Sequence, residues 1–433
     1  MAIKRTPSFD SHNPATGEVA GTYPIMNAKQ VSEIVAHART ASAQWQKLGF
    51  SARKKVLLSW SNVIINRIDQ IAALISLETG KPVGDAKLEV SIAVGHIGWA
   101  ARHAEEIMRT SYRAPGLLLS NMSATVQRSP LGVVGVIGPW NYPMFTPVGS
   151  ITYALAAGNT VVFKPSEYTP GVGMWLEETF NEVAPFADVL TTITGLGETG
   201  GALCTSGVDK ISFTGSTRTA KIVAAQCATT MTPVVLECGG KDPVIVAVDA
   251  NLERAVDATI WSAMANAGQS CIGAERVYVD ERVADKFVEL AVQLAKTIHA
   301  GAPGDGNYGP ATMPSQIKVI QSHIKSAIKD GGRCAYGGPE SVKPPFVQPV
   351  ILLDVPEDSA AMREETFGPT IIINRVKSMR EAIDLSNASS YGLGANVWSK
   401  RQGKKIAAEL ACGMVAINST FSFAAVASVP FGG

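Results

Sequence analysis

The chain is expected to fold as two α/β domains, each built on a doubly wound, largely parallel sheet, with a cleft between them. Three observations lead there. From Leu131 onward, short apolar runs alternate with amphipathic segments, the β-α-β pattern of parallel sheets. The alternation starts afresh after Glu237, beyond the glycine-containing string "LECGGKDP". At 433 residues the chain is also too long for one ordinary core.

Three long amphipathic segments open the chain, over residues 27–49, 51–80 and 81–108. Their apolar spacing predicts helices, with Asn27 and Ser51 as N-caps. Residues 114–130, "APGLLLSNMSATVQRSP", alternate apolar and polar positions and read as an excursion of extended chain. "LGVVGVIGP" then predicts a buried strand, and "MFTPVGSITYALAAG" a helix ending at Gly158. The pattern continues as "NTVVFKP" and "TPGVGMWLEETFNEVA", "VLTTITG" and "ETGGALCTS", "KISFTGS" and "TRTAKIVAAQCAT". The second series runs "DPVIVAV", a helix from Asn251, "ERVYVD", a helix over 281–299, "PTIIINRV", a helix over 378–387, "LGANVWS" and "GMVAIN". Gly239 and Gly240 permit unusual backbone angles and mark a candidate hinge between the two series.

Composition narrows the function. Hydrophobic residues make up 46% and charged residues 17%, as in a globular protein and unlike a disordered one. The 38 basic and 37 acidic residues leave a net charge of +1 without a basic block, so neither nucleic acid nor membrane is an expected partner. Cys204, Cys227, Cys238, Cys271, Cys334 and Cys412 form no CxxC pair and have no histidines at zinc spacing. Reduced thiols and no metal site follow. The start "MAIKRTPSFDSHNPATGE" is basic but lacks an apolar signal core, and no apolar run approaches the ~20 residues of a membrane span. A cytoplasmic protein is expected.

Three residues could carry chemistry. Cys271 follows Gly268-Gln269-Ser270, a turn-like run that would be an odd choice inside a core element. A cysteine taken alone is more often a small buried residue, and a thiol becomes reactive only where its surroundings favour the thiolate. Glu237 ends an apolar strand, where a carboxylate is costly unless paired, neutralised or facing a cavity. It is either a strand-end salt-bridge residue or a general base. Asn141, in "GPWNYP", could donate to a developing oxyanion or simply form the turn before Tyr142-Pro143. Phosphate signals are weaker, since no GxGxxG follows any strand. Gly215 and Ser216 sit between a strand and a helix, where backbone N–H groups could hold a phosphate, or Ser216 could merely cap the helix. Lys164 and Glu167, in "FKPSE", could reach ribose hydroxyls.

"GPWNYP", "VVFKPSE", "FTGS", "LECGGKDP", "GQSC" and "EETFGP" occur in that order, and together they resemble the signature set of the NAD(P)-dependent aldehyde dehydrogenase superfamily, of the hydrolytic rather than CoA-acylating kind. "NPATGE", "YGLGANVW" and "PFGG" extend the likeness from about His12 to Gly433. The resemblance implies an aldehyde dehydrogenase-like α/β fold: a Rossmann-type NAD-binding domain (1–113 and 131–237), a catalytic thiol domain (238–433) and a β oligomerisation arm (114–130). It implies Cys271 as nucleophile, Glu237 as the base that activates water, and Asn141 with the Cys271 backbone N–H as oxyanion donors. Ile137, Gly138, Pro139 and Trp140 would line the nicotinamide side. Lys164, Ser166 and Glu167 would serve the adenosine ribose, Gly215 and Ser216 the pyrophosphate, and Glu365 and Phe367 the nicotinamide ribose.

NAD is favoured over NADP, because the Glu167 carboxylate would accept from a free 2′-hydroxyl and repel a 2′-phosphate. The substrate pocket would take its walls from Tyr142, Met144, Phe145, Ile272 and the loop 418–428 with Phe421. That loop has no Arg or Lys, which favours neutral aliphatic or aromatic aldehydes, with semialdehydes second. A homodimer or homotetramer is the family expectation. Three positions depart from the pattern: Cys238 where leucine is usual, Ala220 where glycine is common, and the end at "PFGG", beyond which the family supplies the rest of its arm. A non-catalytic binding relative would be the reading if Cys271, Glu237 or Asn141 were replaced.

Overall fold

A computed structural model describes residues 7–433, so the first six residues of the basic start lie outside it. Two parallel sheets organise the chain. The first has five strands in the spatial order Leu190–Thr192, Thr160–Lys164, Val133–Ile137, Lys210–Thr214, Val234–Glu237. All its neighbours run parallel. Chain order thus reverses at Val133–Ile137, which puts a crevice beyond the carboxyl ends of the strands. Register brings Ile137 beside Lys164 and Phe213, and Thr214 beside Glu237, so the candidate residues of four strands share that edge.

The second sheet has seven strands, ordered Arg333–Tyr336, Val350–Leu353, Thr370–Val376, Ala274–Asp280, Asp242–Val246, Gly394–Trp398, Met414–Ile417. Its pairs are parallel except at the Arg333–Tyr336 edge. Helices cover both faces of each sheet, and the central strands are buried throughout, which is why they read as unbroken apolar runs.

Local chemistry explains most elements. The helix Ala28–Lys47 starts with a reciprocal cap, Asn27 and Gln30 each accepting the other's backbone N–H. Residues 51–80 form two helices rather than one, Gly49–Asn66 and Ile68–Thr79, interrupted at Arg67, whose guanidinium is held bidentately by Glu182. Ser51 is not a cap: the chain turns at Gly49 (φ +73°), so the helix has already begun there. Residues 114–130 are less extended than expected. They hold a 3-10 turn, Leu117–Leu119, and the strand Ala124–Val126, which pairs with Ser111–Arg113. Leu117 and Leu118 are 92% and 96% exposed there. The helix over 281–299 stops at Ala295, and the hairpin Ser8–His12/Val19–Pro24 and the helix Pro314–Lys329 were not anticipated. Among the described residues no helix is long and apolar enough to cross a membrane, and no His/Cys/Asp/Glu group is placed to hold a metal ion.

Candidate active site

Cys271 stands on a turn that the sequence builds at a cost. Asn266, Ala267 and Gly268 are three successive residues at positive φ (+53°, +56°, +68°) between the helix Leu252–Met264 and the strand Ala274–Asp280. Asparagine and glycine tolerate this region, whereas alanine there is strained by ~1–2 kcal/mol. Buried polar contacts hold the turn. Gln269 donates to Asn266 O (2.9 Å) and accepts from Thr312 N (2.8 Å), while its carbonyl receives the Asn141 amide (2.9 Å). Gly268 packs directly against the Gly368 carbonyl, and Gly240 against the Cys271 carbonyl, so neither has room for a Cβ. Gly268→Ala is therefore expected to lower the unfolding free energy by about 3 kcal/mol, read from urea denaturation. An unchanged midpoint would show that this close approach does not hold the turn.

Cys271 and Glu237 line one cavity of about 590 Å³, together with Tyr142, Phe145, Ile272 and Phe421. Met144 does not join them. It is fully buried in the core of the first domain's helices, because the loop turns into the helix Phe145–Ala157 at that residue and sends the two side chains to different surroundings. Asn141 is buried next to the lining residue Tyr142 and does not itself line the cavity. Its amide gives one hydrogen to Gln269 O, leaving the second available to a ligand.

A buried ion pair positions Asn141. Lys81 and Glu89, each 1% exposed, meet at 2.8 Å. Lys81 also donates to the Asn141 carbonyl (2.7 Å) and lies over the Tyr142 ring, 4.2 Å from its centre. The other Glu89 oxygen accepts from Met144 N (2.9 Å) and Phe145 N (3.1 Å). The pair thus grips residues 141–145 from both ends. Reading short motifs missed this network, but a signal was present: Asp85, Glu89, Ile92, His96 and Trp99 fall at helical spacing on one stripe of Val83–Met108, and all five line the cavity.

The sequence profile of the Aldehyde dehydrogenase family matches residues 3–433. The chain belongs to the aldehyde dehydrogenase family. It is 37% identical to a glutarate-semialdehyde dehydrogenase of Pseudomonas putida, over 97% of this chain and 88% of that protein. It is 32% identical to a 4,4'-diapolycopene aldehyde oxidase of Methylomonas sp, over 97% and 80% respectively. The crystal structure of an E. coli NADP-dependent enzyme superposes with a TM-score of 0.93 at 33% identity, covering 99% of this chain and 89% of that one. This aldehyde dehydrogenase therefore oxidises an aldehyde with NAD or NADP.

The residues at the first sheet's carboxyl edge fit such a dinucleotide. Lys164 is buried with one hydrogen given to Pro165 O (2.9 Å), which leaves further donors, and burial holds its ammonium below the ordinary range. Glu167 is half-buried two residues beyond Pro165, and Ser166 accepts from Tyr168 N (3.3 Å). Ile137, Gly138, Pro139 and Trp140 lead out of the central strand, with Gly138 close against the Phe163 ring. Trp140 meets Phe367 edge-on, with ring centres 5.6 Å apart, and Phe367 stands two residues after Glu365. None of these residues lines the cavity at Cys271, but Glu365 lies near enough to act on that thiol, and its carboxylate accepts from Gly240 N (3.1 Å), whose Cα packs against the Cys271 carbonyl.

The Gly215 N–H is donated to the Glu237 carbonyl (3.0 Å), and the Ser216 hydroxyl caps the helix Thr217–Ala228 by accepting from Thr219 N (3.3 Å). A phosphate there would meet the N–H groups of Ser216, Thr217 and Arg218, the open donors of that helix start.

The electrostatics of this aldehyde dehydrogenase favour a neutral thiol in the free protein. Burial pushes the Cys271 thiol well above its ordinary value, and Glu365, Asp242 and Glu237 add to the effect. Burial raises the Glu237 carboxyl as well. It pushes Glu365 up to about 8, with the Glu275 charge adding and the Gly240 N–H, donated at 3.1 Å, opposing.

Proposed function

We propose that Cys271 is the nucleophile of this aldehyde dehydrogenase. Its thiolate attacks the aldehyde carbonyl to give a thiohemiacetal oxyanion, held by the free Asn141 N–H and the backbone N–H of Cys271. A dinucleotide held by Lys164, Ser166, Glu167 and Glu365 would supply the hydride acceptor by which such an adduct is oxidised to a thioester. Glu237 then takes a proton from water, the hydroxide adds to the thioester carbonyl, and the acid leaves as the sulfur–carbon bond breaks. The observation that carries the reading is that Cys271 and Glu237, far apart in sequence, line one cavity with the Asn141 amide pinned to the Cys271 turn. A carboxyl raised by burial is suited to a base working near neutral pH.

Residues 1–113 and 131–237 serve as the dinucleotide-binding domain, 238–433 as the catalytic domain and 114–130 as an oligomerisation arm of a homodimer or homotetramer. The exposed Leu117 and Leu118 support the last assignment. NAD is the preferred cofactor on the strength of Glu167, although the similar E. coli enzyme is NADP-dependent. A semialdehyde is the second substrate reading, since a glutarate-semialdehyde dehydrogenase is among the similar proteins.

The test is Glu237→Gln, mixed with NAD or NADP and with benzaldehyde or succinic semialdehyde. A burst of one NADH or NADPH per site followed by slow turnover is the expected result, because the thioester forms but water is not activated. Steady turnover at the unsubstituted rate, or loss of the burst itself, would overturn the role given to Glu237. Faster turnover with NADP than with NAD would overturn the cofactor preference.

A further inference from the structure

The cavity at Cys271 is far larger than a four- or five-carbon chain requires, and its lining is specific. Phe145, Tyr153, Trp99, Trp261 and Phe421 wall it. The rings meet edge to face: Trp261 and Phe421 at 4.9 Å and 83°, Trp99 and Tyr153 at 5.9 Å and 86°. Such walls offer ring faces and edges to another ring. Phe421 is held at φ +55° at the start of a short helix, and Asn418, at φ +54°, is bonded through its side chain to both the N–H and the carbonyl of Ser399. Strain of this kind persists where the surroundings impose it, and here it delivers an aromatic side chain to the cavity.

The charges complete the picture. No arginine is among the described residues lining the cavity, and its lysine, Lys81, is already shared between Glu89 and the Asn141 carbonyl. The carboxyls of Asp85 and Glu237 face the same space. His96 brings no cation: its two ring nitrogens are engaged with Tyr153 Oη (2.8 Å) and Ala424 O (3.0 Å), and burial lowers its pKa. A substrate carboxylate would lose its water here, find no counter-charge, and meet two acidic groups. A cationic aldehyde fits little better, because the Lys81 ammonium lines the same cavity and already covers the Tyr142 ring.

We infer that the substrate is an uncharged aldehyde with an aromatic body, and not a dicarboxylic semialdehyde. This rests on the reading of Cys271 as nucleophile, so the test separates the two. With the whole chain and one cofactor, kcat/KM is measured for benzaldehyde, succinic semialdehyde and betaine aldehyde. Benzaldehyde is expected to exceed each of the others by on the order of 10²-fold, and Phe421→Ala to lower kcat/KM about tenfold more for benzaldehyde than for acetaldehyde. A ratio below about ten, or a preference for either charged aldehyde, would overturn the inference. The second arm is binding to Cys271→Ala, read by quenching of tryptophan fluorescence, which needs no chemistry at sulfur. Tighter binding of benzaldehyde supports the inference, and equal or tighter binding of succinic semialdehyde overturns it. Aldehyde oxidation by Cys271→Ala would sink the nucleophile reading alone, leaving the binding comparison to decide the substrate class.

Discussion

Replacing Cys271 by alanine is expected to lower the rate of NADH or NADPH formation by ~10⁴-fold or more while leaving the fold intact. In the proposed mechanism the substitution removes the attacking atom and with it the covalent intermediate, and what remains is binding and polarisation of the carbonyl. The turn tolerates the change because it is held by Gln269, Asn141 and Gly268 rather than by the thiol. A companion measurement probes the thiol's surroundings. Burial, with Glu365 and Asp242, keeps it protonated in the free protein, so the thiolate fraction must grow with pH throughout the neutral range. Iodoacetamide labelling of Cys271, followed by mass spectrometry, should quicken about tenfold per pH unit from about pH 7 to about pH 9. A plateau inside that window would mean that the thiol is not held up by these groups.

Lys81→Met is expected to have the largest effect on stability. It leaves Glu89 buried without its counter-ion, a loss of about 3–5 kcal/mol for a broken buried pair. The stability loss should be largely recovered in Lys81→Met/Glu89→Gln, where no buried charge remains. Activity should not return with it. The Asn141 carbonyl would still lack its Lys81 donor, and a displaced oxyanion donor costs on the order of 10²-fold in kcat. Urea denaturation and steady-state rates on both variants separate these effects. Full recovery of rate in the double variant would show that Lys81 supports the fold without positioning Asn141.

Much of this architecture is written locally. Buried parallel strands must be apolar on both faces, and their helices must carry one apolar stripe, so the alternation from Leu131 is visible in single segments. The candidate nucleophile and base were legible for a related reason: a Gly-Gln-Ser-Cys run and a glutamate before two glycines are poor core material, and they sit where strands meet loops. Where the reading missed, the path of the backbone decided. Ser51 yielded to the Gly49 turn, and Met144 and Phe145, adjacent and both apolar, part company where the loop enters its helix.

The sequence by itself therefore determined most of the strands and helices, that they form two α/β series, and which strings resemble the family's signatures. Each of these depends on spacing along the chain. Only the tertiary structure decided that Lys81 and Glu89 hold the Asn141 loop, that the Gly215 N–H is already engaged by Glu237, and that the cavity joins aromatic walls to unpaired acidic groups. Those are properties of neighbours in space. A buried lysine and a solvated one are the same letter, and what separates them is whether folding brings a carboxylate within reach.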